Sequence, residues 1–159
     1  LHAKGHLMRM LELKIPPPVV ALVVAVAMWG ISGAMRFDMP LPARVAGALA
    51  IAIAGGGIAL SGARAFRRAR TTTSPLKPDA ASSLVTSGAF RYTRNPMYLG
   101  VCLVLVAWAL FLSSAAAFLG PVVFVLYITR FQIVPEERVL ARIFGAAFAD
   151  YRIRTRRWV

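Results

Sequence analysis

The stretch Pro96–Glu137, PMYLGVCLVLVAWALFLSSAAAFLGPVVFVLYITRFQIVPEE, decides the fold. Up to Pro135 its one charged residue is Arg130. It divides into two apolar runs, 96–112 and 115–134, with Ser113-Ser114 between them. Runs of this length and polarity read as membrane-crossing helices. At 1.5 Å per residue the first reaches about 25 Å, short of the ~30 Å hydrocarbon core, so it stands upright or the bilayer thins around it. A two-residue turn makes the pair an antiparallel hairpin. Its far ends, Asn95–Tyr98 and Glu136–Glu137, are therefore expected to meet.

Two more apolar runs lie upstream, 16–35 (PPPVVALVVAVAMWGISGAM) and 45–63 (VAGALAIAIAGGGIALSGA). The second is rich in Gly and Ala, residues that let helices approach closely in lipid. The chain is 58% hydrophobic and only 16% charged, against about a quarter charged in soluble domains. One all-α membrane domain follows over residues 1–159, with four transmembrane helices. The basic loop 64–95 separates the two halves.

Of the 19 Lys and Arg, three fall in residues 1–15, two in link 36–44, seven in 64–95, none in the 113–114 turn and seven from Arg130 onward. Rich and poor regions alternate as four crossings require. Both termini and the long loop are expected in the cytoplasm, which for a bacterial protein means the inner membrane. The net charge of +13 suits anionic headgroups; no nucleic-acid module accompanies it, so nucleic acid is not expected as a partner.

His2 and His6 lie in residues 1–9, which read as a remnant ahead of a natural start at Met8 or Met10. Without them the chain has no histidine, and Cys102 is a lone thiol in an apolar run, so no metal site is expected. Beyond the last span, 136–159 reads as an amphipathic cytosolic helix with a basic tail. Val139, Leu140, Ile143, Phe144, Ala147, Phe148 and Tyr151 share one face. Trp158 among the final arginines suits an interfacial anchor.

The polar residues at the hairpin's open end carry two readings. Asn95 and Pro96 are good N-cap and N1 residues, and acidic residues favour a helix's first turn. Yet ionisable groups this close to lipid need partners. Meeting across the hairpin, they could equally form a binding site. The long loop reads as a solvated tether or as a lid, with Leu84 and Val85 lining an apolar slot. Gly55-Gly56-Gly57 follows no strand and reads as helix packing rather than a dinucleotide loop.

LVTSGAFRYTRNPMYLG (84–100) followed by EERVLARIFGAAFADYRIRTRRW (136–158) resembles the C-terminal half of the isoprenylcysteine carboxyl methyltransferase and phospholipid methyltransferase superfamily. The shared elements are R-[HN]-P-x-Y-x-G, a Glu-Glu pair about forty residues later, and F-G-x-x-[FY]-x-x-Y. The resemblance implies a membrane methyltransferase that uses S-adenosylmethionine and yields S-adenosylhomocysteine. It places Arg94, Asn95, Pro96, Tyr98, Leu99 and Gly100 on one wall of the cofactor site, with Gly100 permitting close approach. Glu136 and Glu137 stand on the other wall, and Leu84 and Val85 cover the adenine. Glu136 and Arg67 are the residues implied in catalysis, Arg67 orienting an acidic substrate group. The acceptor would be a small amphiphile or a membrane lipid. Many members have His at the Asn95 position, and members acting on prenylcysteine carry further N-terminal helices, so that substrate does not carry over. Two alternatives stand beside this reading: an NADPH-dependent reductase akin to sterol reductases, and a lipid- or partner-binding protein without enzymatic activity.

Overall fold

A computed structural model of the chain describes residues 12–69 and 83–159. Residues 1–9 and the middle of loop 64–95 lie outside that range. The α-helices among the described residues are α1 (Pro17–Ile31), α2 (Leu41–Arg68), α3 (Pro96–Leu112), α4 (Leu119–Ile128) and α5 (Val134–Arg154). Single 3₁₀ turns occupy Gly88–Arg91 and Ala116–Phe118, and a π turn occupies Thr129–Ile133. There is no strand among the described residues; two isolated bridges, Arg36 with Ser114 and Thr93 with Arg156, tie loops together.

Two helical paths, Leu41–Arg68 and Ala116–Arg154, are long and apolar enough to cross a membrane; α1 and α3 are shorter apolar helices. Their outward faces carry Leu22, Val26, Trp29, Leu49, Ile53, Val122 and Leu126, all exposed. Lipid, rather than protein, is the natural cover for such a girdle. The inward core collects Val20, Val24, Met28, Leu105, Ala109, Phe124 and Ile128.

The largest helix pairing is α2 with α3 rather than the hairpin pair α3 and α4. Small residues cause it. Gly55 and Gly100 face each other so closely that a Cβ on Gly55 would lie 2.7 Å from the Gly100 carbonyl oxygen. The other two glycines of the run, Gly56 and Gly57, face open space.

At one end of the bundle the α1–α2 link is pinned to the α3–α4 turn. Phe37 N–H donates to Ser113 O, Ala115 N–H to Met35 O, and the Ser114 hydroxyl to Ala34 O at 2.6 Å. Ser113 closes α3 in the left-handed conformation. The residues of the candidate site gather at the opposite end.

There the structure departs from the sequence expectation. The last span and the tail are not separate helices: α4, the π turn and α5 run on without a loop. Pro135 explains the π turn. A proline cannot donate to the carbonyl four residues back and crowds it, and that carbonyl, Phe131 O, instead accepts Leu13 N–H at 3.0 Å. The N-terminal segment is locked there further by Gln132 Nε2 donating to Ile15 O and by Glu12, which pairs with Arg130 at 2.8 Å and Arg138 at 2.9 Å. Within α5, Gly145 (φ 48°, ψ −120°) breaks helical geometry. The expected face divides there. Phe148 and Tyr151 are buried, while Leu140 and Phe144 pack on the same cluster; Ile143 and Ala147 are exposed.

Candidate functional site

The site forms where the start of α3 meets the start of α5. Pro96 begins α3, but the Asn95 side chain makes no capping bond. Its Nδ2 donates instead to Arg157 O at 2.9 Å, and its backbone N–H is taken by the Thr93 hydroxyl at 3.2 Å. The expected cap is not formed, and the side chain instead ties the start of α3 to the C-terminal segment.

One turn into α3, the Tyr98 phenol donates to Glu136 Oε1 at 2.6 Å. Glu137 faces the other way and meets two guanidinium groups: Arg94 Nη2 at 3.2 Å, and Arg157 through Nε at 3.1 Å and Nη2 at 2.7 Å. The expected convergence across the hairpin is present, and it separates the adjacent carboxylates into different roles. Glu137 is an internal fastener with a bidentate partner. Glu136 has only a neutral phenol beside it, and burial pushes its pKa up to about 8, the Tyr98 hydrogen bond lowering it and the neighbouring Glu137 raising it.

Arg94 is the complementary case. Only 11% of its side chain is exposed, and its Nε and Nη1 are buried without a hydrogen-bond partner. Burial lowers its pKa, and the nearby Arg152 and Arg157 lower it further, while Glu137 pulls it back up. Arg157 shifts upward, mainly through its hydrogen bonds to Glu137. Arg152, near enough to Arg94 to lower its pKa, adds a third guanidinium to the two that meet Glu137, so positive charge exceeds that one carboxylate. Arg94 and Arg152, with Ala149 and Ile153, line an open groove.

The remaining expected site residues are placed as follows. Val85 is buried and Leu84 partly buried in a small cluster with Ala65, Phe90, Phe148 and Tyr151. Tyr151 fastens that cluster by donating its phenol to Phe90 O at 2.7 Å, and Phe66 meets Phe90 edge-on at 5.1 Å. Pro96 is buried against Gly62 of α2, and Leu99 is partly buried. Gly100 is turned to α2: a Cβ there would meet Ala59 Cβ at 2.7 Å and the Gly55 carbonyl. Its smallness serves helix contact. Arg67, in the last turn of α2, is exposed and bonds to no other described residue. No group of three or more His, Cys, Asp or Glu suited to a metal occurs among the described residues.

Sequence reasoning missed the C-terminal segment 155–158 and Arg152. Their signal was present in RIRTRRWV, but a basic tail carries no hint of which carboxylate it seeks.

The order of these parts matches a known family. The phospholipid methyltransferase family model aligns with residues 43–147. The chain belongs to the phospholipid methyltransferase family. An uncharacterized protein of Haemophilus influenzae (strain ATCC 51907 / DSM 11121 / KW20 / Rd) is similar, 43% identical over 63 residues, which is 40% of this chain and all of that protein. No solved structure matches. In phospholipid methyltransferase terms, α2, α3, α4 and the first part of α5 lie within the matched region, whereas the segment 155–158 lies beyond it.

Proposed function

We propose that this member of the family transfers methyl groups from S-adenosylmethionine to a small amphiphilic or lipid-like acceptor at the membrane surface. The observation that carries this reading is a pair of unsatisfied opposites at the meeting of the two walls. Among the described residues Glu136 has no cation beside it, and Arg94 holds two buried nitrogens, Nε and Nη1, without an acceptor. Glu137 links them, being next to Glu136 in the chain and bonded to Arg94. A zwitterionic ligand answers both needs, and the amino-acid end of S-adenosylmethionine, with its ammonium, sulfonium and carboxylate, is such a ligand.

The residues present fit that group. Glu136, steadied by Tyr98, would take the cationic part, and Arg94 with Arg152 the carboxylate. Leu84 and Val85 supply apolar surface nearby for the base, and Asn95, Pro96 and Leu99 complete the α3 wall. When bound, S-adenosylmethionine supplies a methyl group already activated by its sulfonium. The protein's contribution is then positioning and exclusion of water, which together can supply much of the rate gain. Arg67, exposed at the end of α2, is available to orient an anionic acceptor.

The topology that suits this chemistry has four crossings in the bacterial inner membrane, both termini cytoplasmic. The pinning of link 36–44 to the 113–114 turn supports it, since these loops would share the opposite side. An acceptor would enter sideways from the bilayer to the polar end of α3 and α5.

Calorimetry on detergent-purified protein tests the reading, with S-adenosylhomocysteine and NADPH titrated separately. Micromolar binding of the first alone is expected. Binding of NADPH instead would replace it with a reductase, and binding of neither to folded protein would end the enzyme reading.

A further inference from the structure

We infer that Thr155–Trp158 forms a strap that positions both walls of the site, with Arg157 as its positioning residue. The segment lies beyond the residues matched to the family, and its contacts are unusually dense. Arg156 O accepts Arg94 N–H at 2.9 Å. Arg157 O accepts both Asn95 Nδ2 at 2.9 Å and the Thr93 hydroxyl at 3.3 Å. The Arg157 guanidinium makes the two bonds to Glu137. Trp158 packs on the main core and donates its indole N–H to the Thr129 hydroxyl in the π turn at 3.1 Å.

One short segment therefore joins the loop before α3, the start of α5 and the π turn. Thr155 at its start and Thr93, whose hydroxyl donates to it, are both buried. The consequence for chemistry follows from what each bond replaces. Arg157 O receives the Asn95 side-chain N–H and so fixes how that amide is turned. Glu137 is held away from the ligand by Arg157, whose fork matches a carboxylate in a way a point charge does not. With Glu137 neutralised, Glu136 is left as the carboxylate for a cationic ligand, and Arg94, anchored by its backbone to Arg156, keeps its free N–H groups in place. The strap acts through these residues and needs no contact with the ligand.

This rests on the cofactor reading above, so the experiment separates the two. Full-length Arg157→Ala and Arg157→Lys proteins are purified in detergent beside Arg154→Ala, whose exposed side chain reaches only Asp150 O within α5. S-adenosylhomocysteine affinity is measured by calorimetry and backbone protection by amide hydrogen exchange. For Arg157→Ala the expected result is an affinity loss of about tenfold or more, on the scale of a lost charged hydrogen-bonded pair. Exchange at Arg94 and Asn95 should accelerate while α1 to α4 stay protected. Arg157→Lys should recover part of the affinity, and Arg154→Ala should match the parent protein. Unchanged affinity and exchange in Arg157→Ala would overturn the inference, as would tighter binding, which would make Arg157 a plug. If the parent protein binds no S-adenosylhomocysteine, the cofactor reading fails by itself, and the strap stands or falls on exchange at Arg94 and Asn95. Should Arg157→Ala not fold, Trp158→Phe, which removes the indole donor and part of the ring but keeps an aromatic side chain, is judged by the same two readouts.

Discussion

Replacing the glycines of the α2–α3 contact one at a time tests whether packing or cofactor access explains them. An alanine Cβ at Gly100 would lie 2.7 Å from Ala59 Cβ and 2.9 Å from Ala59 N, and closer still to the Gly55 carbonyl. These are backbone or backbone-fixed atoms, so no rotamer change relieves the clash. Restoring ordinary contact requires α2 and α3 to part by roughly 1 Å, and such overpacking costs about 1–3 kcal/mol. Gly55→Ala meets the Gly100 oxygen at 2.7 Å and Leu103 Cβ at 2.9 Å and should fall in the same range. Gly56→Ala meets nothing within 4 Å and should be neutral or gain up to about 1 kcal/mol from helix propensity. Reversible denaturant unfolding in detergent micelles, followed by far-ultraviolet circular dichroism, gives the three differences. A Gly100→Ala protein as stable as the parent, but weakened in S-adenosylhomocysteine binding, would refute the packing account and restore Gly100 to the cofactor wall. Equal losses at positions 55 and 56 would refute the facing assignment.

Glu136→Gln keeps an acceptor for Tyr98 but removes the carboxyl that a cationic ligand would ionise, so stability should change little while S-adenosylhomocysteine affinity in calorimetry falls about tenfold or more. Tyr98→Phe should instead lower unfolding stability by about 1–3 kcal/mol, because a mostly buried carboxylate loses its 2.6 Å donor. Gly145→Ala has open space around its Cβ but must hold φ 48°, so unfolding experiments should show a purely conformational cost of about 1–2 kcal/mol. Burial pushes the Glu12 carboxyl up, but Arg130 and Arg138 more than offset this and hold it below its ordinary 4.5. A depressed carboxylate stabilises above its unfolded value and loses that contribution as pH falls through the folded one. Protease sensitivity of the N-terminal segment should therefore rise below about pH 4.5 in the parent protein, and Glu12→Gln should remove that pH dependence.

Much of this molecule was legible in the chain because lipid-scale apolar runs and charge punctuation are local properties. Pro96 and the Ser113-Ser114 turn bound α3 as the sequence predicts, and the short turn brings Tyr98 to Glu136 whatever else the chain does. Other features depended on what stood opposite. Nothing local distinguishes Glu136 from Glu137; their roles diverge because Arg94 and Arg157 arrive at one and Tyr98 at the other. Asn95 has the chemistry of a cap, yet a carbonyl from a segment some sixty residues downstream captures its amide. Gly100 could have admitted a ligand, but α2 occupies its open side. Apolar pattern and turn length set the elements, since each acts over a few residues. Which polar atoms become fasteners and which remain unsatisfied for a ligand was decided by the tertiary structure, since a hydrogen bond's partner is fixed by position in space and not by separation along the chain.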